Sequence, residues 1–398
     1  METEREAVVL AVPFAAGVAV ATFLLQTFYI RNHSSVALVL LSFAATVSSA
    51  VLIFRSCRGR FRKLPLPAAR IFVGLMFLSA GITVCLMDSL TFPDTGKHSP
   101  VSSFAYGCRE ALSRRIMDIG YSEKEHGALV CAFLTGDRSG LDGNTRKIFR
   151  DSGASHLLAL SGMHLGIIYM LLSRMLAILG NSPSVRKTRS AVTISGAGFF
   201  TLMTGASPSI VRAFLFILLR EGAAILGRKQ NNANLLCIAL TVQLTVTPGV
   251  ITSAGFQLSY LAMTGIFTLY PVIRDWWNIP VRWLDEKYFR SNDQTSDDSA
   301  RPRGIMYRIW DMSSLSIACQ VFTAPVVWLR FGTFPQYFIL TNLLCIPLMN
   351  LVMISSVAVI ALSSAGLCPA FLLSINDSLL GTLVFILSTI SGMQADTL

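Results

Sequence analysis

ASHLLALSGMHLGIIYM, residues 154–170, reads as the start of a membrane span, yet it carries two imidazoles. His156 opens the stretch. His164 lies inside it, in the frame Gly162-Met163-His164-Leu165-Gly166. Glycines four residues apart let a second backbone approach closely in lipid, so Gly162 and Gly166 are the expected helix-packing positions. An imidazole at that depth is costly unless it meets a partner, water or cargo. A polar group held at a tight helix crossing points to a pathway rather than an anchor.

The composition around that stretch agrees. The 398 residues are 53% hydrophobic and 14% charged, against about 25% charged in an ordinary soluble domain. Most of the apolar runs are about 20 residues long, enough in helical form to cross a hydrocarbon core of about 30 Å. Weak period-2 alternation disfavours a transmembrane barrel. The expected fold class is all-α, a polytopic transmembrane helical bundle of about eleven spans with short or broken helices and amphipathic interfacial helices. The runs lie near 7–30, 35–54, 70–90, 156–180, 191–205, 208–227, 233–248, 254–273, 313–330, 340–363 and 369–392. METEREAVVLAVPF is acidic before its apolar run, unlike a cleaved signal, so the first run is expected as a retained span.

A net charge of +11 fits a membrane protein whose cytoplasmic loops collect Lys and Arg. The loop with Arg55, Arg58, Arg60, Arg62, Lys63 and Arg70 is therefore placed inside. Alternation puts Arg186, Lys187, Arg189, Arg228 and Lys229 inside too, together with the 274–312 loop. Residues 105–154 should lie outside, yet Arg109, Arg114, Arg115, Lys124, Arg138, Arg146, Lys147 and Arg150 stand there among nearly as many acids. Amphipathic helices against the membrane explain that mixture, as does a vestibule for an anionic ligand. Five consecutive segments follow: a three-span region 1–104, an amphipathic interfacial segment 105–155, a channel-like helical core 156–290, a polar cytoplasmic loop 291–312 and a three-span group 313–398.

The residues offer little for covalent chemistry. Five of the eight cysteines lie in apolar stretches and no CxxC occurs, so they read as small buried hydrophobes. His156 and His164 would sit about 80° apart on one helix, too far around it for one zinc. No metal and no cofactor are expected. Ser161 near a histidine hints at a hydrolase, but the frame is not GxSxG. A Walker A frame is missing as well, so the chain is not expected to be an enzyme. Gly136-Asp137-Arg138-Ser139-Gly140-Leu141 reads as a tight polar turn, Asp142-Gly143-Asn144 as a helix start and Ser207-Pro208-Ser209 as another. Intramembrane Gln243, Gln257, Gln320, Asn342, Asn350, Asn376 and Asp377 read as interhelical clasps, whose number allows a hydrated cavity.

In order along the chain stand LTGDRSGLDGNTRKIFRDSGASHLLALSGMHLGIIY, SPSIVRAF, SAGFQLSYLA and APVVWLRFGTFP. This order resembles the ComEC-type competence channel family over roughly residues 105–392. The long frame Gly153 to His164 is the specific part. The resemblance implies an inner-membrane channel subunit that passes single-stranded DNA into the cytoplasm during natural transformation. It implies single-stranded DNA and the lipid bilayer as partners, and a multi-pass protein of the bacterial inner (cytoplasmic) membrane. Larger members carry an OB-like domain and a metallo-β-lactamase-like domain. Here only Thr91 to Ala105 fill the first place, Gln394 to Leu398 fill the second, and no HxHxDH frame occurs. Separate nuclease, OB-like or cytoplasmic motor proteins are then the expected partners, with a homo-oligomer left open. The pathway residues expected are Arg138, His156, His164, Arg212 and Gln257. The alternative is a secondary transporter for a small polar or anionic solute, with its site at Arg212 or Asn376-Asp377.

Overall fold

A helix stands at each of the eleven apolar runs, and no strand occurs among the described residues. The computed structural model describes residues 2–28, 32–57, 66–90, 100–180, 182–228, 231–276, 305–332, 336–367 and 370–395. The first helices are α1 (Glu2–Phe28), α2 (Asn32–Cys57), α3 (Leu66–Leu90), α4 (Pro100–Met117) and α5 (Lys124–Thr135). Next come α6 (Gly143–Asp151), α7 (Ser155–Leu158), α8 (Gly162–Ala177), α9 (Pro183–Met203), α10 (Pro208–Ile225) and α11 (Asn232–Val246). A 3-10 turn at Pro248–Thr252 leads into α12 (Ala254–Thr268) and α13 (Tyr270–Trp276). The last three are α14 (Ile305–Phe331), α15 (Phe338–Ser364) and α16 (Ala370–Ala395).

Five of these helices are long and apolar enough to cross a membrane, at Ala7–Thr27, Arg70–Leu90, Met306–Phe331, Phe338–Ser364 and Ala370–Met393. α12 and α13, bent by 42°, make a sixth if they form one broken span. Leu38–Val51, α8 and α11 are apolar but shorter. α9 and α10 are set apart from these spans by three charged residues each. The basic loop after α2 lies largely outside the described residues, as do residues 91–99 and 277–304. The polar 291–312 loop is described only from Ile305 onward.

The helices form two compact units, each gathered from separate stretches of chain. One holds Met1–Val101, Ser173–Gly198 and Pro208–Gln257; the other holds Ser102–Leu172, Phe199–Ser207 and Leu258–Leu398. This partition cuts across the five consecutive segments expected, because helices distant in sequence pack on each other.

In the first unit α1 and α3 run side by side in contact. A methyl group on Gly17 would collide with the Leu78 carbonyl, and one on Gly81 with the Phe14 carbonyl. Each glycine thus lets the partner's backbone press into its own turn. Neutral hydroxyls finish the contacts. Thr22 Oγ1 lies 3.3 Å from Cys85 Sγ, Thr46 Oγ1 lies 2.9 Å from Ser79 Oγ, and Thr83 donates to Ser42 Oγ at 2.9 Å. Every hydroxyl paired this way is one that lipid would leave unsatisfied. Gln243 of α11 is an interhelical clasp as expected, donating from Nε2 to the Pro208 carbonyl of α10 at 3.0 Å.

The second unit is built around α5. From His126 to Thr135 every residue is buried, which suits a helix apolar on all sides. α4, α6, α7, α15 and α16 supply the surrounding core, with Phe149, Leu157, Met349, Met353, Leu380 and Leu383 all but fully enclosed. The segment 105–155 is therefore amphipathic only in part. α6 turns Thr145 and Phe149 inward and leaves Arg146, Lys147 and Arg150 exposed, but α5 between its neighbours is core. A polar clasp ties α5 to α16. Asp377 Oδ2 accepts from the Ser122 N–H at 2.9 Å and the Ser122 hydroxyl at 2.6 Å, and Oδ1 accepts from His126 Nδ1 at 2.9 Å. Gly381, one turn on, leaves room for the imidazole. Asn376 donates into α15, to Ser355 Oγ at 2.7 Å and Ser356 Oγ at 3.0 Å.

Candidate functional site

The stretch from Ala154 to Met170 is not one helix. The run expected over 156–180 breaks between α7 and α8, where Ala159 is extended at φ −73° and ψ 124°. The break puts His156 and His164 on different helices, so their spacing on a single helical wheel does not apply. Ser161 restarts the chain as a cap. Its hydroxyl accepts from the Met163 N–H at 3.3 Å, and its own N–H donates to His164 Nδ1 at 3.2 Å. This is a reciprocal capping box with histidine where glutamate or glutamine usually stands. The Ser161 hydroxyl, 3.0 Å from Nδ1, belongs to the same arrangement.

The cap fixes the tautomer. A nitrogen that accepts an N–H bears no proton of its own, so the neutral ring carries its proton on Nε2. His164 is 0% exposed, and Nε2 has no hydrogen-bond partner among the described residues. A buried donor left open in this way costs about 1–3 kcal/mol. The ring stands 6.3 Å from that of Phe133 on α5. Among the described residues no carboxylate is hydrogen-bonded to this imidazole.

Beside this break lies the turn that closes α5. Gly136 takes the left-handed conformation at φ 76°, and its N–H returns to the Ala132 carbonyl. A side chain there would be strained and would also strike Leu160. Asp137 organises the next residues. Its carboxylate accepts from the Ser139 N–H at 3.0 Å and hydroxyl at 2.7 Å, with Arg109 at 3.9 Å. These bonds, and then the Arg109 charge, hold Asp137 below the usual carboxylate range against a smaller upward push from burial. Asp142 caps α6 as the sequence suggests, accepting from the N–H groups of Gly143 and Asn144.

Arg138 projects from this turn, exposed, and Arg146 of α6 donates from its guanidinium to the Arg138 carbonyl. Partial desolvation, followed by the Arg146 charge, lowers Arg138 from the ordinary arginine value. His156 is exposed, 3.2 Å from the Gly153 carbonyl through Nδ1. Three of the five expected pathway residues, Arg138, His156 and His164, thus belong to the second unit.

The other two lie in the first unit. Arg212 is half-buried on α10, which begins at Pro208 as expected. Gln257 donates from Nε2 to the Ile251 carbonyl at 2.9 Å and steadies the 3-10 turn before α12. Close packing at the Gly-x-x-x-Gly frame is not seen at Gly166, where an added methyl would meet nothing within 4 Å among the described residues. The tight approaches occur at Gly17, Gly81 and Gly265, the last against the Ala318 carbonyl of α14. Asp377 is taken up by its clasp with Ser122 and His126, whereas Asn376 donates through Nδ2 and its buried Oδ1 has no hydrogen-bond partner among the described residues. The sequence marks Arg146 only as one of several cations of the 105–154 segment and Asp377 only as a clasp or solute-site candidate; its pairing with His126, 251 residues away, comes from the fold.

The family described as Competence protein matches this chain over residues 133–398. That span holds the turn, the broken helix, Arg212 and Gln257. ComE operon protein 3 of Bacillus subtilis (strain 168) is 30% identical over 132 residues, covering 33% of this chain and 17% of the relative. No solved structure matches.

Proposed function

We infer the function from one premise: this chain belongs to the competence protein family, whose profile covers residues 133–398. The proposal is that it is a multi-pass subunit of the bacterial inner membrane that passes single-stranded DNA into the cytoplasm in natural transformation. It acts as a channel and not as an enzyme. All eleven helical runs are taken as spans or parts of spans, with the Lys- and Arg-rich loops inside.

The observation that carries this reading, beside the family, is the group formed by Arg138, Arg146, His156 and His164. None of the four makes an ion pair with a carboxylate among the described residues. A strand with one charge per phosphate needs donors and moderate positive charge along its path, and too many fixed charges would trap it. Two arginines with two imidazoles suit that need, since histidine donates and stacks without a permanent charge. Separate nuclease, OB-like or motor proteins are proposed as partners.

The test is uptake of labelled DNA in a transformable host. Deleting the gene should abolish entry of label into the cytoplasm while growth on diverse solutes stays normal. The intact chain should restore entry, and His164→Leu should not, although the protein accumulates. Normal transformation in the deletion strain would overturn the proposal, and a solute-specific growth defect would favour a transporter.

A further inference from the structure

The acids around the Gly136–Asp142 turn are all engaged. Asp137 is held by Ser139 and Arg109, Asp142 by the first N–H groups of α6, and Glu125 by the Thr145 hydroxyl. Arg138 of the turn and Arg146 of α6 have the opposite condition. The Arg146 guanidinium donates to the Arg138 carbonyl, which ties the Arg146 side chain to the residue that bears the second cation. Neither has a carboxylate within ion-pair distance among the described residues. Like charges held together repel unless an anion lies between them. Guanidinium groups match the paired oxygens of a phosphate better than any other side chain. Two cations without a carboxylate partner make a set suited to an anionic oxygen ligand.

We propose that Arg138 and Arg146 form a binding site for a phosphodiester group. For the source of that group, the nucleic-acid backbone, the proposal rests on the DNA-passage reading above. A lipid headgroup offers the same chemistry, and α6 is amphipathic enough to lie at a bilayer surface.

The experiment uses the full chain in nanodiscs of phosphatidylcholine. A fluorescent oligothymidylate is titrated in, and then its uncharged methylphosphonate counterpart. Arg138→Gln and Arg146→Gln should each weaken oligothymidylate binding about tenfold. Each should flatten the salt dependence by about 0.7 in the logarithmic slope, the share of one phosphate contact on a single strand. The methylphosphonate strand should not bind. Arg150→Gln removes an exposed cation of the same helix that is paired with Asp151, and should change binding less than about twofold. Melting of each variant checks that it is folded.

A parallel arm adds phosphatidylglycerol to the discs and measures headgroup retention by mass spectrometry. If the wild type ignores oligothymidylate but retains phosphatidylglycerol through Arg138 and Arg146, the site stands with lipid as its source and the DNA reading falls. If the wild type binds oligothymidylate and the folded arginine variants bind it equally, with the same salt slope, the site is overturned and the DNA reading stands. Binding of neither ligand overturns both.

Discussion

The two units hold their helices together by different physics. In the first, α1 meets α3 at Gly17 and Gly81, and the groups that pair across α1, α2 and α3 are hydroxyls and a thiol. In the second, a carboxylate and an imidazole, each about one-tenth exposed, join α5 to α16. The first contact depends on shape and spreads over several turns. The second concentrates polar bonding at one carboxylate with three donors. A seam of the first kind fails by added volume, and a clasp of the second kind fails by one lost partner. Four measurements would break or sharpen that contrast.

The largest effect is expected at the clasp. Asp377→Ala strands the His126 imidazole and both Ser122 donors in the second unit. Breaking a buried pair from one side costs about 3–5 kcal/mol. Thermal unfolding in detergent should show this as a large drop, and a loss under about 1 kcal/mol would remove the clasp from the account. Next comes volume in the first unit. Gly81→Leu should cost about 1–3 kcal/mol or more by forcing α1 from α3. Gly166→Ala, with open space around it, should stay within about 0.5 kcal/mol of wild type. Equal effects at the two glycines would undo the assignment of the tight seam.

Smaller changes probe the broken helix and its turn. Ser161→Ala removes the hydroxyl half of the cap and should cost about 1 kcal/mol. The ring nitrogens of His164, read by 15N chemical shifts, should keep the Nε2–H form, because the backbone N–H to Nδ1 remains. A switch to the Nδ1–H form would refute the capping-box reading. The smallest effect concerns Asp137. Its folded value lies below the unfolded carboxylate value of about 3.9, so its contribution is full above that pH. That contribution fades as pH falls through the folded value. Asp137→Asn should therefore lower stability at neutral pH by less than about 1 kcal/mol and remove part of the acid dependence. Parallel pH curves for wild type and variant would contradict this.

The helices were legible in sequence because apolar runs and caps are local signals. Pro208 opens α10, Asp142 caps α6 and Gly136 closes α5, each where its chemistry predicts. The break before α8 was not legible, since LLALSGMHL is apolar enough to pass for continuous helix. α5 was hidden by its neighbours, whose charges made the whole of 105–155 look interfacial. The Gly-x-x-x-Gly frame drew attention to Gly166, while isolated Gly17 and Gly81 made the close crossing. Spacing along one helix cannot say which face meets a partner. Of the candidate site, Arg138, His156 and His164 were found by their unusual settings. The tautomer of His164, the place of Arg146 and the 251-residue link to Asp377 required the fold.

The buried α5 has a mechanical consequence. It is a strut about 18 Å long, too short and too tightly enclosed to bend. Its leading end is pinned to α16 through Ser122 and His126, and its trailing end turns at Gly136 against Leu160. A single helix thus joins the Asp377 clasp at one end, without an intervening loop, to the turn that bears Arg138 at the other.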